Sequence, residues 1–366
     1  MSKFYYSLGF MSGTSLDGID ASIIKSDGEN FVEIIDNKYI KYNNKLRSKL
    51  VKIIDECTSK AKYKYLYKNI LQVEKEITML HAKLFKTMAK KNKALKIDII
   101  GFHGQTVLHN PKKGYSLQIG NSKLLSKLTK TKVISNFREN DIINGGQGAP
   151  LTPLYHKLIL LKIKTKLPAA IINIGGITNI TYLKNKKKII SFDTGPGNYL
   201  LDRWVKIKNG KNFDNKGSFS ESGKVNKIVL KKFLNNPYYK IKIPKSLDVK
   251  NFNLKHLNKL NFRDGCSTLS MVTIKSICLA IKKLRIIPSI ILVSGGGRKN
   301  KFIINNLKQL LNTSVDIIEK YNFNGDFIES QAFAYLAVRS YLKKFITLPS
   351  TTGVDKPSLG GTLFFD

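Results

Sequence analysis

A chain of 366 residues, 42% of them hydrophobic, is long enough for two ordinary domains and apolar enough to fill both cores, which excludes global disorder. Its formal net charge of +38 raises nucleic acid or an anionic membrane surface as partners. The lysines, however, are spread along the whole chain among Asn and Ile, as in Tyr63–Lys68, Lys184–Lys188 and Lys240–Lys245, and they greatly outnumber Arg, whose bidentate fork base readers favour; no specific nucleic-acid partner is expected.

The first elements read strand, turn, strand, strand. Tyr5–Phe10 is short and apolar, Ser12–Gly18 is a Gly/Ser/Thr/Asp turn, Ile19–Lys25 alternates, and Phe31–Tyr39 makes a third β run. Leu46–Lys90 carries helical spacing, notably Leu66, Ile70, Val73, Ile77 and Leu80. Ile97–Phe102 is a continuous apolar strand ending at a polar loop, His103-Gly104-Gln105-Thr106. Val133–Phe137 reads as another buried strand before the glycine-rich loop Asn144–Pro150.

The opening pattern then returns. Ala169–Ile174 is an apolar strand, Gly175-Gly176 a turn, Ile177–Leu183 a strand, and Ile189–Phe192 a third, ending at Asp193-Thr194-Gly195-Pro196-Gly197-Asn198. A helix around Leu269–Leu284, the strand Ile290–Ser294, the triple glycine Gly295-Gly296-Gly297 and a helix over Lys301–Leu311 follow. Two copies of one hairpin-led α/β unit, joined near residues 150–168, outrank any local assignment. The expected fold is therefore α/β, a duplicated ribonuclease-H-like (actin-like ATPase) fold. Its two domains, 1–150 and 151–366, are expected to flank a central nucleotide cleft. Function has to be argued from the site.

Cys57, Cys266 and Cys278 are odd in number and lack C-x-x-C spacing, which argues against a disulfide framework or a zinc site. Met1–Phe10 has no apolar signal segment, and no apolar run approaches the length of a bilayer span. A cytoplasmic protein with no membrane partner is expected.

The first chemical constellation is Met11–Asp20. Gly13 and Gly18 permit turn dihedrals and close backbone approach. Ser12, Thr14 and Ser15 supply hydroxyls, consecutive N–H groups through Leu16 and Ile19 can hold an anion, and Asp17 and Asp20 suit Mg²⁺. The Walker lysine is missing, so this is no P-loop; an ordinary β-turn is the plain alternative. Gly175 and Gly176 stand at the equivalent place in the second half, as a second phosphate turn. Gly295, Gly296 and Gly297 suit close approach to an adenine, or simply a tight strand-to-helix turn. Asp193 follows a buried strand, where α/β proteins bind ligands; helix N-capping is its competing role, and Asn198 could cap as well. His103, Gln105, Arg138, Asp141 and Gln147 leave first-half strands and suit a hydroxylated, anionic ligand, with Arg138 for a carboxylate. Glu329 starts a helix, where the dipole favours a carboxylate in any case.

Together these segments resemble the anhydro-N-acetylmuramic acid kinase family. The resemblance is carried by Gly9–Ala21 (GFMSGTSLDGIDA), Gly101–Thr106 (GFHGQT), Leu117–Gly120 (LQIG), Gly145–Leu151 (GGQGAPL), Asn173–Asn179 (NIGGITN), Phe192–Asn198 (FDTGPGN), Ser294–Gly297 (SGGG) and Glu329–Arg339 (ESQAFAYLAVR). They occur in the family's order over essentially the full length. One departure is Pro244-Lys245-Ser246-Leu247-Asp248-Val249: the family usually continues Pro-Lys-Ser with Thr-Gly-Arg-Glu, so contacts of that Arg/Glu pair are not expected here and the helical segment beyond is expected to differ. The resemblance implies ATP as phosphoryl donor with Mg²⁺, a small-molecule sugar as acceptor, and a homodimer. It also implies Asp193 as general base, with Glu329 a second catalytic candidate. ATP would be bound by Gly13–Asp20, Gly175, Gly176 and Gly295–Gly297, and the sugar by Ser12, His103, Gln105, Arg138, Asp141 and Asn198. Another sugar kinase of this fold, or an actin-like or chaperone-like ATPase, is the alternative.

Overall fold

The almost continuously buried strands Tyr5–Ser12 (β1) and Gly18–Ser26 (β2) pair antiparallel, from Tyr5 opposite Ser26 to Met11 opposite Asp20. In this computed structural model, which describes residues 3–13, 16–247 and 251–365, β2 then pairs antiparallel with Val32–Lys41 (β3). On its other side β1 runs parallel to Ile99–Asn110 (β4), and β4 parallel to Lys132–Ser135 (β6). The spatial order β3-β2-β1-β4-β6 extends to Thr362–Phe364 (β12), antiparallel to β6.

The second sheet repeats the same path. Ala169–Ile174 (β7), Ile177–Leu183 (β8) and Ile189–Pro196 (β9) form the antiparallel meander. Ile290–Ser294 (β10) runs parallel to β7, and Ser314–Ile317 (β11) parallel to β10. Its order, β9-β8-β7-β10-β11, matches the first sheet strand for strand. Both are ribonuclease-H-like, and the duplication read from the sequence is present.

Two compact units result: Met1–Leu158 with Glu329–Asp366, and Ile159–Ile328. The sequence reading put residues 329–366 in the second domain; they belong to the first. The physical reason is a match of small residues. A Cβ on Gly9 would lie 2.0 Å from the Ser330 carbonyl oxygen, and one on Gly101, its register partner, 2.2 Å from that of Phe333. The helix Ile328–Tyr341, with Ala332, Ala334 and Ala337 fully buried, therefore lies directly on the β1 and β4 backbones.

The helical spacing of Leu46–Lys90 takes the form of three helices, Asn44–Glu56, Lys60–Tyr65 and Tyr67–Lys91, the first two capped by Asn43 and Ser59. Two local readings change. His103–Thr106 is not a loop; β4 continues through it, because Tyr115–Ile119 (β5) folds back and pairs with it from Gln105 opposite Ile119. The helix Phe262–Lys282 has the length and apolarity of a membrane span, contrary to the expectation of none; its Leu269, Val272, Ile274, Ile277 and Ile281 instead fill the second unit's cores.

The first unit's core carries neutral histidines. His81, on the helix Tyr67–Lys91, is fully buried edge-on to Phe10 and Phe102, with ring centroids 4.9 Å from each. Burial pushes its imidazole down to about 4 and that of the equally buried His156 to about 3. Folded values below the unfolded one mean that the unfolded chain takes up the protons first, so stability is lost as pH falls below about 6.5. These two groups should cost about 4 kcal/mol between pH 7 and pH 5. Urea unfolding followed by far-UV circular dichroism at both pH values checks this; a flat stability would mean that the imidazoles are protonated or reach water in the fold.

Candidate active site

In the first unit, Ser12 ends β1 and is buried, accepting from the Tyr42 hydroxyl at 3.1 Å. Gln105 stands beside it in register on β4 and donates to the Gly13 carbonyl at 3.2 Å, while its Oε1 is buried with no hydrogen-bond partner among the described residues. Thr14 and Ser15 lie outside the described residues. Beyond them Leu16 adopts φ 55° and its N–H donates to the Gly13 carbonyl at 3.3 Å. Arg47 Nε donates to the Leu16 carbonyl and Tyr39 to the Asp17 carbonyl, at 3.0 and 2.8 Å. The Tyr39 phenol is pushed up to about 12, by burial first and then by the charges of Asp17 and Asp20. Both carboxylates therefore lie within electrostatic reach of one ring. Gly18 and Ile19 are the first residues of β2.

A second cluster in the same unit gathers His103, Arg138 and Glu329. His103 Nδ1–H donates to the Gly104 carbonyl at 2.8 Å. Its Nε2 accepts from Arg138 Nε at 3.1 Å and lies 2.9 Å from Nη2. Burial, then the Arg138 charge, hold this imidazole well below its usual range, so it is a neutral acceptor that orients the guanidinium. Arg138 Nη1 also donates to the Gly148 carbonyl at 2.6 Å. Burial raises the Glu329 carboxyl and Arg138 opposes the shift; Glu329 sits in the first turn of its helix.

Asp141 is held by bonds within the first unit. It is fully buried, Oδ1 accepting from the Gly148 N–H at 2.7 Å and Oδ2 from the Thr352 hydroxyl at 2.6 Å. Oδ1 thus holds the Gly145–Gly148 loop, whose Gly148 carbonyl Arg138 also meets, and Oδ2 ties Asp141 to Thr352.

In the second unit, three turns meet at the carboxyl end of β7. The Gly175 carbonyl accepts from the Asn198 N–H and the Gly176 carbonyl from the Gly197 N–H, at 2.8 and 2.9 Å. Gly295 has φ +75°, and a Cβ there would lie 2.3 Å from Asn173 Oδ1. A Cβ on Gly296 would lie 3.6 Å from Asn198 Nδ2, and one on Gly297 3.2 Å from Asn198 Oδ1. Asn198, expected with the sugar residues, is thus among the glycine turns. Arg298, which sequence reasoning missed, locks the third turn. It is buried, donates to the Gly295 carbonyl at 2.9 Å, and pairs with Glu319 at 2.6 Å and Asp326 at 2.8 Å.

Asp193 lies inside β9, which runs on to Pro196, opposite Asn179 where the β8–β9 register shifts. The helix after it is capped by Gly197, without a side-chain cap bond. This removes N-capping as the reason for Asp193. Its side chain is buried, and Oδ2 accepts from the Leu247 N–H at 2.8 Å. Its backbone is fixed twice: Asp193 N–H donates to the Lys245 carbonyl at 2.9 Å, and the Tyr238 hydroxyl donates to the Asp193 carbonyl at 2.6 Å. A buried carboxylate oriented in this way suits proton abstraction. Lys245 and Leu247 belong to the Pro-Lys-Ser stretch visible in the sequence, but nothing there linked it to Asp193; Asp248 and Val249 lie outside the described residues.

Comparison with known proteins follows this geometry. The family model described as anhydro-N-acetylmuramic acid kinase matches residues 5–366. The anhydro-N-acetylmuramic acid kinase of Pelagibacter ubique is 46% identical over 99% of this chain and 99% of its own length. That of Zymomonas mobilis is 36% identical over 98% and 99%. Among solved structures, the activator of the 2-hydroxyisocaproyl-CoA dehydratase from Clostridium difficile covers 92% of this chain at 13% identity and TM-score 0.44, a likeness too loose to add to the strand topology. Full-length agreement at this identity decides the matter: the chain belongs to the anhydro-N-acetylmuramic acid kinase family.

Proposed function

We propose that this chain is an ATP-dependent kinase of 1,6-anhydro-N-acetylmuramic acid, yielding N-acetylmuramic acid 6-phosphate in peptidoglycan recycling in the cytoplasm. Full-length family membership is the observation that carries the reading, and the setting of Asp193 supports its chemistry. Asp193 takes a proton from water as the water oxygen bonds to the anomeric carbon. The bond from that carbon to the bridging oxygen breaks, its electron pair stays on the 6-oxygen, and that oxygen takes the γ-phosphoryl group, releasing ADP. The transfer itself needs chiefly positioning and charge neutralisation.

The turn Gly13–Asp20, with Gly175 and Gly176, is assigned to the phosphates of ATP, and Gly295–Gly297 to its adenine. Arg138, oriented by neutral His103, is assigned to the sugar's carboxylate, with Ser12, Gln105 and Glu329 to its hydroxyls. The described residues contain no group of three His, Cys, Asp or Glu able to hold a metal alone. Two carboxylates plus phosphate oxygens and water nevertheless fit the hard-oxygen preference of Mg²⁺, with Asp17 and Asp20 as its holders; bound there, the ion would neutralise phosphate charge.

The test supplies ATP, Mg²⁺ and anhydro-N-acetylmuramic acid in ¹⁸O-water, with borohydride quenching before the anomeric oxygen exchanges. One labelled oxygen is expected at the sugar's former anomeric carbon and none in the transferred phosphate. Label appearing in free phosphate, with the sugar unchanged, would mean simple ATP hydrolysis and end this reading.

A further inference from the structure

Lys245 is a buried lysine with no part in the chemistry described so far. Its Nζ donates to the Tyr238 carbonyl at 2.7 Å and stands 3.7 Å from the centroid of the Tyr238 ring. Its own carbonyl accepts from the Asp193 N–H, while the Tyr238 hydroxyl donates to the Asp193 carbonyl. Asp193, Tyr238 and Lys245 thus close a ring of contacts, and two residues past Lys245 the Leu247 N–H holds Asp193 Oδ2 at 2.8 Å. The carboxylate is oriented by a segment whose anchor is the Lys245 ammonium.

We propose that Lys245 is a positioning residue for Asp193: its ammonium, seated on Tyr238, fixes the strap 244–247 that orients the carboxylate, and its charge favours the ionised carboxylate. This rests on the reading of Asp193 as the base. The electrostatic surroundings fit the role. Burial pushes the Lys245 ammonium down to about 8, Lys283 pushes the same way, and Asp193 opposes both. Lys283 is itself occupied, donating to the Tyr239 carbonyl at 2.6 Å. The phenols facing the pair stay neutral: burial, then Asp193, push Tyr238 up beyond the ordinary range, and burial pushes Tyr239 up to about 12. Lys245 is therefore a cation at neutral pH, within electrostatic reach of the base.

The test compares Lys245→Met with Lys245→Arg, each measured per folded molecule with thermal melts as the control. Lys245→Met should lower kcat roughly tenfold or more, since small misplacements of a reacting group are costly, and leave KM for MgATP within about twofold. The acid limb of its kcat–pH profile should move up by roughly one unit, because a carboxylate that loses a neighbouring cation holds its proton more tightly. Lys245→Arg keeps the charge and should keep the limb. If Lys245→Met only lowers the melting temperature, with kcat and acid limb unchanged, or if Lys245→Arg moves the limb equally, the proposal is overturned. Should Lys245→Met not fold, the Arg variant and the wild-type limb still decide. An Asp193→Asn background separates this claim from the one beneath it. There, Lys245→Met should add no further loss of kcat, and additive losses would overturn the coupling. Full activity of Asp193→Asn alone would instead remove the base itself.

Discussion

Asp193→Asn should lower kcat by at least about 10²-fold, the lower end of what a positioned base contributes, and leave KM for MgATP nearly unchanged. The substitution is close to isosteric, and an asparagine carbonyl oxygen can still accept from the Leu247 N–H that now meets Asp193 Oδ2 at 2.8 Å. The bonds that the Asp193 backbone makes to Tyr238 and Lys245 do not involve the carboxylate at all. What is lost is the ability to take a proton. A metal-holding role for Asp193 predicts the opposite pattern, with a raised KM for MgATP and an altered Mg²⁺ dependence. Steady-state kinetics over a range of MgATP and of free Mg²⁺ separate the two.

Gly9→Ala is expected to destabilise the first unit by about 3 kcal/mol or more, at the upper end of what overpacking costs. The added methyl would lie 2.0 Å from the Ser330 carbonyl oxygen and 2.3 Å from the Ala334 nitrogen. Both are backbone atoms of a helix pinned by other bonds: the Ser7 hydroxyl donates to the Ala334 carbonyl at 2.9 Å, and the Ser22 and Ser330 hydroxyls meet at 2.7 Å. No side-chain rotation relieves the clash, so the helix Ile328–Tyr341 would have to lift from β1. Glu329 stands at the start of that helix, so activity should fall with stability. Thermal unfolding should shift down by roughly 10 °C. A variant within about 1 kcal/mol of the parent would mean that the helix tolerates displacement.

The sequence by itself determined the repeated meander. Continuous apolar runs such as Ala169–Ile174 and Ile290–Ser294 are fully or nearly buried strands, and glycine turns punctuate both copies, so local pattern and tertiary role agree. It also made Asp193 a candidate, with N-capping as its rival until the structure gave that cap to Gly197.

Other features depended on partners distant in sequence. That residues 329–366 return to the first unit rests on Gly9 and Gly101 facing the backbone of Ser330 and Phe333, more than two hundred residues away, a match that no periodicity within either segment records. His103–Thr106 reads as a polar loop because strand alternation is weak there; its strand state comes from β5 folding back upon it. The partners of Asp141, the Thr352 hydroxyl and the Gly148 N–H, likewise could not be read from its local sequence. The setting of Asp193 came last, because the Leu247 N–H, the Lys245 carbonyl and the Tyr238 hydroxyl lie 45 to 54 positions along the chain. Backbone donors and acceptors are carried by nearly every residue, so only the tertiary path decides which of them reach a given carboxylate.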